Sequence, residues 1–319
     1  MRKTKFPAYP LLILSAFLIP SAVGFCRVRG DAAAEVFAPR TQSSAEPRQI
    51  SVLDTKSGEI RTEDTEAYLL GVLAAEMPAS FEKEALKAQA VAARSYTLCK
   101  MKKKTPSHSD ADICCDPACC EAWISADETE RQQGAENLAR LKAAIEETRG
   151  EYMVSDGEVV EAFFFAGSGG RTENAEDVWG GSRPYLKSVP SEGDADEERL
   201  YSEAHFTNDE FCSILAANGA DISGGFPSIG EPSRTEGGSV REMTIGGKSF
   251  RGTEIRRMFG LKSANFTLSR TDGGVTFSVR GSGHGVGMSQ YGANSMARNG
   301  KKYTEILSHY YTNIQIVKN

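Results

Sequence analysis

Long basic runs are missing from the body of this 319-residue chain and the formal net charge is −6, so electrostatics give no footing for nucleic acid. No internal repeat is present, which argues against a solenoid or a propeller. The H-E-x-x-H pair of zinc proteases is absent, as are the H-x-E and P-C-x-x-C elements of zinc deaminases. Neither glycine-rich stretch closes on the G-K-[ST] that a phosphate loop needs, and dinucleotide spacing is lacking, so nucleotide binding is not expected. Apolar runs of a dozen residues or more are scarce too, with one exception at the start.

That exception runs from Leu11 to Phe25, behind Arg2, Lys3 and Lys5. A charged leader followed by an apolar stretch sends the next residues across a membrane. Pro20 breaks the run and it is short for a full span, yet Arg27 and Arg29 flank it as they would an anchor. A lipid-modified Cys26 is disfavoured, because bulky Phe25 stands where a small residue belongs. The reading is a retained single anchor over 1–26 and an Ala/Pro/Ser-rich linker over 27–48. Residues 49–319 follow as one α+β region of helices around β-hairpins, with room for a smaller inserted lobe over about 190–262.

Within that region the patterns are specific. The stretch from Ser51 predicts a strand or hairpin, then a helix capped near Thr62–Thr65 and ended by Pro78. Ser80 is the expected cap of an Ala-rich helix through Met101, and one polar helix is expected over 127–148, with Leu138, Leu141 and Ile145 inward. Hairpins are signalled at Asp156-Gly157, at Gly246-Gly247 and by "NFTLSRTDGGVTFSVRG"; a last helix runs from Tyr303 to Tyr311.

One acid stands out. Glu76 shares a helical stripe with Leu69, Val72 and Leu73, in the last turn before Pro78. Desolvation disfavours its ionised form, and so do the free carbonyls at a helix end. A carboxyl held partly protonated is what a general acid requires. The competing reading is that Glu76 caps a neighbour or pairs with Lys87 or Arg94 of the next helix.

The seven cysteines are an odd number, and Cys114, Cys115, Cys119 and Cys120 crowd one loop. His108, Cys114 and Cys120 stand six and six apart, and thiolate with imidazole suits zinc. Cys115 and Cys119 could form a local disulfide, substitute as ligands or complete a fourth position. With three ligands and water, a zinc hydrolase is the rival reading.

"YLLGVLAAEMPASFEKEALKAQAVAARSYTL", "GSGGRTENAEDVWGGSRPYLKSV" and "GSGHGVGMSQYGANSMARNGKKYTEILSHYYT" together resemble the stage II sporulation protein D family, from about residue 50 to the end. The resemblance implies a membrane-anchored lytic transglycosylase that cuts peptidoglycan strands during engulfment, on the mother-cell membrane facing the forespore. It implies Glu76 as the catalytic acid and base, and a structural zinc on His108, Cys114 and Cys120. It also implies strands without stem peptides as substrate, and the stage II sporulation proteins P and M as partners. Similar blocks occur in amidase enhancers, which would bind wall without cutting it.

Groove residues are expected from the same blocks. His284, Gln290 and Tyr291 follow glycines at 281, 283, 285 and 287, which permit close approach to a ligand. Ser168, Arg171, Thr172, Trp179 and Tyr185 are expected on the opposite wall, and Lys87 and Arg94 are counted with them unless one pairs with Glu76. Asp177 and Glu173 rank below these, since "TENAED" also suits a solvated loop.

Overall fold

The computed structural model describes residues 49–195 and 197–318; the expected anchor over 1–26 and linker over 27–48 lie outside the described residues. Helices and small sheets alternate along the chain, and no sheet among the described residues exceeds three strands. No helix among them is long and apolar enough to cross a membrane.

The first hairpin pairs Gln49–Leu53 with Ile60–Asp64 and leads into α1, Thr65–Glu76. Asp64 caps α1 by accepting from the amides of Glu66 and Ala67, within the expected window. α1 is buried on nearly every side: Tyr68, Leu69, Val72 and Leu73 are wholly inaccessible. Each such apolar side chain contributes about 1.5–3 kcal/mol by leaving water. Met77 then turns extended ahead of Pro78, and the helix ends on Glu76.

α2, Lys83–Lys103, is the axis of this half. Its alanines 85, 88, 90, 92 and 93 are fully buried, so neighbouring backbones come close. It begins at Lys83, and not behind Ser80, because the Asn294 side chain accepts from the Glu82 amide at 2.7 Å. A distant partner satisfies the free amide group that a local serine was expected to take. The polar helix expected over 127–148 is two helices, Ala126–Gln133 and Ala135–Glu147. Gly134 between them adopts φ +87°, a conformation no continuous helix permits. Leu138, Leu141 and Ile145 face inward as expected. The Asp156-Gly157 hairpin is present, and an unforeseen strand, Gln315–Lys318, pairs with Glu151–Ser155.

Residues 201–280, here called the lobe, gather a hydrophobic core of their own. Tyr201–Thr207 pairs with Gly274–Arg280, which joins the two ends of this segment. Its core is aromatic: Phe211, Phe259, Phe266 and Phe277 pack with Val240, Ile245 and Val275. The Gly246-Gly247 hairpin and the Phe266–Thr271/Gly274–Arg280 hairpin form its sheets.

Candidate active site

The end of α1 opens on a cleft of about 550 Å³, and Glu76 lines it. The carboxyl is half-buried, and its Oε1 accepts from the Ala122 amide at 3.2 Å. Burial lifts its pKa above the ordinary carboxylate value, with the Ala122 hydrogen bond acting weakly the other way. Neither proposed partner reaches it. The Arg94 guanidinium grips Glu66 at 2.9 and 2.6 Å and is wholly buried. Lys87 lies 3.5 Å from Glu84 and 3.7 Å from Glu147, with its ammonium 4.3 Å from the Tyr303 ring centre. Both belong to the scaffold and not to the groove where the sequence reading put them.

Opposite Glu76 stands an aromatic wall. Trp179 is 40% exposed and lies 4.5 Å from Phe163 and 5.1 Å from His284 between ring centres. Tyr96 meets Phe163 edge-on at 5.5 Å. Exposed indole beside a polar tip is suited to a sugar face. Of the expected groove residues, Trp179 and His284 line this cleft.

His284 is held by the glycine-rich loop. Met288 and Ser289 run parallel to Phe164 and Phe165, and a Cβ at Gly287 would stand 2.0 Å from the Phe163 carbonyl oxygen. The close approach that the glycines allow is therefore to the chain's own strand. Burial, with the charge of Arg256 second, pushes the His284 imidazole down to about 4. Its Nδ1 accepts from the Val286 amide at 3.1 Å. A neutral ring so held offers packing and polarity, and not a proton at neutral pH.

The remaining expected groove residues do not line the cleft. Ser168 donates to Asp194 at 2.6 Å, and buried Thr172 is tied to Val189. Arg171 donates to Ser188 at 2.9 Å and pairs with Glu236. The Tyr185 hydroxyl accepts from the Glu161 amide at 3.3 Å. Gln290 is buried against Gln89, and Tyr291 packs edge-on to Phe81 at 5.2 Å. Asp177 pairs with Arg241 at 2.6 Å, while Glu173 is buried and accepts from the Ser239 amide at 3.1 Å. Sequence reasoning missed Tyr96, Lys100, Glu121, Phe163 and Arg183, which do line the cleft. A signal for Phe163 stands in the "EAFFFA" run, three consecutive aromatics.

The remaining wall is the cysteine loop. Donor atoms of His108, Cys114, Cys119 and Cys120 all lie within 4.8 Å of one another. The Cys119 and Cys120 sulfurs are 3.8 Å apart, and His108 Nε2 is 3.2 Å from the Cys120 sulfur. Two thiolates at tetrahedral angles on one zinc stand about 3.8 Å apart, so this donor set fits the metal. His108 Nδ1 lies 3.4 Å from the Ala111 carbonyl, a contact that leaves Nε2 to the metal. Cys115 and Cys119 are both free thiols; Cys115 turns aside to Arg61 at 3.5 Å, and Cys119 joins the group that could hold a metal. Cys114 is anchored by the parallel pairing of Ile113–Cys114 with the first strand.

The chain leaves the last ligand straight into Glu121 and Ala122, so the loop carries both the amide that holds Glu76 and a second buried acid. Glu121 accepts from Thr97 at 2.8 Å. Burial, reinforced by the nearby Glu76 carboxylate, pushes it up to about 8.

A family model described as Stage II sporulation protein matches residues 54–154, a span that holds Glu76 and all four candidate metal donors. The chain is 37% identical over 275 residues to "Stage II sporulation protein D" of Bacillus amyloliquefaciens, covering 85% of this chain and 79% of that one. It is 38% identical over 280 residues to the protein of the same description in Bacillus subtilis (strain 168), covering 85% and 80%. An "Amidase enhancer" of the same Bacillus subtilis strain is 28% identical over 294 residues, 76% of this chain and 39% of that one.

Proposed function

The chain belongs to the stage II sporulation protein D family, and from that membership together with the cleft we propose that it acts in sporulation as a lytic transglycosylase on peptidoglycan glycan strands. The observation that carries the reading is Glu76: a half-buried acid without an ion pair among the described residues, raised in pKa, at the mouth of an aromatic-walled cleft.

A lytic cut needs one carboxyl because the nucleophile belongs to the substrate. Glu76 donates its proton to the oxygen bridging N-acetylmuramic acid and N-acetylglucosamine, and the bond from C1 of the muramyl sugar to that oxygen breaks. The C6 hydroxyl of the same sugar then bonds to C1 and returns its proton to Glu76, leaving a 1,6-anhydro end. The attack is intramolecular, which offsets the absence of a second catalytic carboxylate. The Ala122 amide holds Oε1 of this cleft-lining acid. Trp179 and Phe163 offer a face to stack against, and neutral His284 adds polarity without charge.

Zinc in this reading is structural. His108, Cys114, Cys119 and Cys120 would hold it, and four protein donors close a tetrahedral site. What the metal supplies is a fixed loop, and through it the Ala122 amide. A zinc hydrolase needs an open position, so the fourth donor weighs against that reading. The membrane anchor and the sporulation partners P and M belong to the same proposal; the anchor would hold the cleft beside the wall.

The test is to mix the chain and its Glu76→Gln form with purified glycan strands and follow anhydromuramyl ends by mass spectrometry. The variant should release between a hundredfold and ten-thousandfold fewer ends while melting normally. Equal product from both would end the reading. If neither cuts, yet either one stimulates an added amidase, the wall-binding enhancer reading takes its place; the 28% identity to the amidase enhancer keeps it open.

A further inference from the structure

The helix that ends on Glu76 carries a glycine where a helix gains nothing from one. Gly71 lies buried in the middle of α1, and glycine inside a helix is a cost beside alanine. What stands over it accounts for the choice. A Cβ at Gly71 would lie 2.2 Å from Nε1 and 2.6 Å from Cδ1 of Trp123, and 2.6 Å from the Ile124 carbonyl oxygen. The indole is located by shape: its Nε1 is buried and finds no hydrogen-bond partner among the described residues. The Arg61 guanidinium carbon covers the ring at 3.8 Å from its centre, and Arg61 is itself held by Glu63 at 2.9 Å.

Trp123 belongs to an irregular strap, residues 121–125, laid along α1. The Ile124 amide donates to the Gly71 carbonyl at 3.2 Å, and the Ala122 amide donates to Glu76 Oε1 at 3.2 Å. From Gly71 to Glu76 a helix rises roughly 7.5 Å. From Ile124 to Ala122 a chain reaches at most about 7 Å, so little slack is left between the two bonds. The height at which the strap is seated on Gly71 therefore decides whether its amide meets Glu76. The proposed zinc would fix one end of the strap through Cys120, and Gly71 with Trp123 fixes the other. We propose that Gly71 and Trp123 are positioning residues for the cut: by seating the strap at one height on α1 they hold the Ala122 amide on Glu76 and keep the acid in one orientation. The inference rests on the glycan-cutting reading above.

The test compares the full chain, its Gly71→Ala and Trp123→Leu forms and the double variant. Each is followed in steady-state cleavage of purified glycan strands and, by NMR, in hydrogen exchange of the Ala122 amide. The added methyl of Gly71→Ala drives the indole and its strap outward by about 1 Å before contacts become ordinary. It should lower kcat on the order of a hundredfold. KM should stay unchanged, because the Trp179 and Phe163 wall is untouched, and the Ala122 amide should exchange faster. Trp123→Leu loosens the seat and should lower kcat on the order of tenfold. Adding Gly71→Ala to Trp123→Leu should then cost less than about threefold, since the methyl has room. That coupling is one that general destabilisation does not produce. Equal losses in both backgrounds, a loss carried by KM, or a fall in kcat with Ala122 exchanging as in the parent overturns the inference and leaves the glycan reading standing. Full turnover by Gly71→Ala does the same. Should Gly71→Ala fail to fold, Trp123→Leu decides alone, because its α1 is unaltered: an undiminished kcat overturns the inference. A parent chain that releases no anhydromuramyl ends removes the reading and the inference together.

Discussion

The acid-bearing half and the inserted lobe of this chain are stabilised by different means. Around α1 and α2 the interior is alanine, buried polar pairs and a cluster of metal donors: Arg94 is locked on Glu66, Thr97 on Glu121, and four ligand atoms converge beside Glu76. The lobe over 201–280 is sealed by stacked phenylalanines, and no residue of it lines the cleft. Small residues and satisfied polar groups allow tight, oriented packing, which a proton donor needs. Large aromatic rings give an apolar core that holds without orienting anything. The site is therefore where stability depends most on every partner being present.

The largest way to separate the halves is to take away the zinc proposed for the four-donor cluster. Structural zinc contributes roughly 10–16 kcal/mol in small peptides, so even a fraction of that exceeds any one side chain here. Chelation should open the amides from Ser107 to Ala122 to hydrogen exchange while those of Phe211 and Phe277 stay protected. Melting should shift at least as far as turnover falls. If turnover stopped in a chain whose exchange pattern had not changed, a catalytic metal would have to be reconsidered.

Next come single residues in each interior. Arg94→Met strands the Glu66 carboxylate in a buried site and should cost about 3–5 kcal/mol. Phe277→Ala should cost about the same by leaving a cavity among Phe211, Phe259 and Phe266. Double substitution with Glu66→Leu should recover much of the first loss, whereas no polar partner exists to rescue the second. Denaturant titration measures both. Recovery failing in the first case would mean that Arg94 acts through more than Glu66; its 2.9 Å bond to the Glu151 carbonyl would be the place to look.

How much of this was legible in the sequence follows the same divide. The half-burial of Glu76 at the end of its helix, the crowding of His108, Cys114 and Cys120, and the hairpin turns are short-range patterns, and they were readable as such. The groove residues were not, because which wall a loop residue faces is decided by partners far away in sequence. Thr172, Ser168 and Gln290 are polar residues in family-like blocks, yet each is consumed by an internal hydrogen bond. Arg183 and Lys100 carry no local signature at all. The Ser80 cap failed for the same reason, since Asn294 supplies from 212 positions away what the pattern assigned to a neighbour. The pairing of Tyr201–Thr207 with Gly274–Arg280 is likewise invisible to periodicity.

A smaller effect is expected from acid. His284 titrates near 4 in the fold and near 6.5 when free, so the folded chain binds fewer protons between those values. Its contribution is complete above about pH 6.5 and is lost as pH falls toward 4, by up to about 3 kcal/mol. Replacing it with glutamine should flatten part of the stability loss between pH 7 and 4.5. An unchanged profile would mean that the imidazole is already charged against the aromatic wall. Glu76 has the opposite sense: its raised pKa extends the protonated, cutting-competent form upward in pH, so turnover should fall as pH rises past it.

The smallest effect compares two helix caps. Asp64 holds the start of α1, and Thr207 with Glu210 forms a capping box on the lobe helix Asn208–Ala217. Alanine at either Asp64 or Thr207 should cost about 1 kcal/mol. Turnover should be untouched in both, although α1 ends on the proposed catalytic acid. The reason is where the helix is buried: Tyr68, Leu69, Val72 and Leu73 are inaccessible, so fraying at Asp64 stops within the first turn and Glu76 keeps its bond to Ala122. Steady-state cleavage by Asp64→Ala beside Thr207→Ala decides it. If only the first lost activity, α1 would be moving as one rod, and its interior packing would be looser than its burial implies.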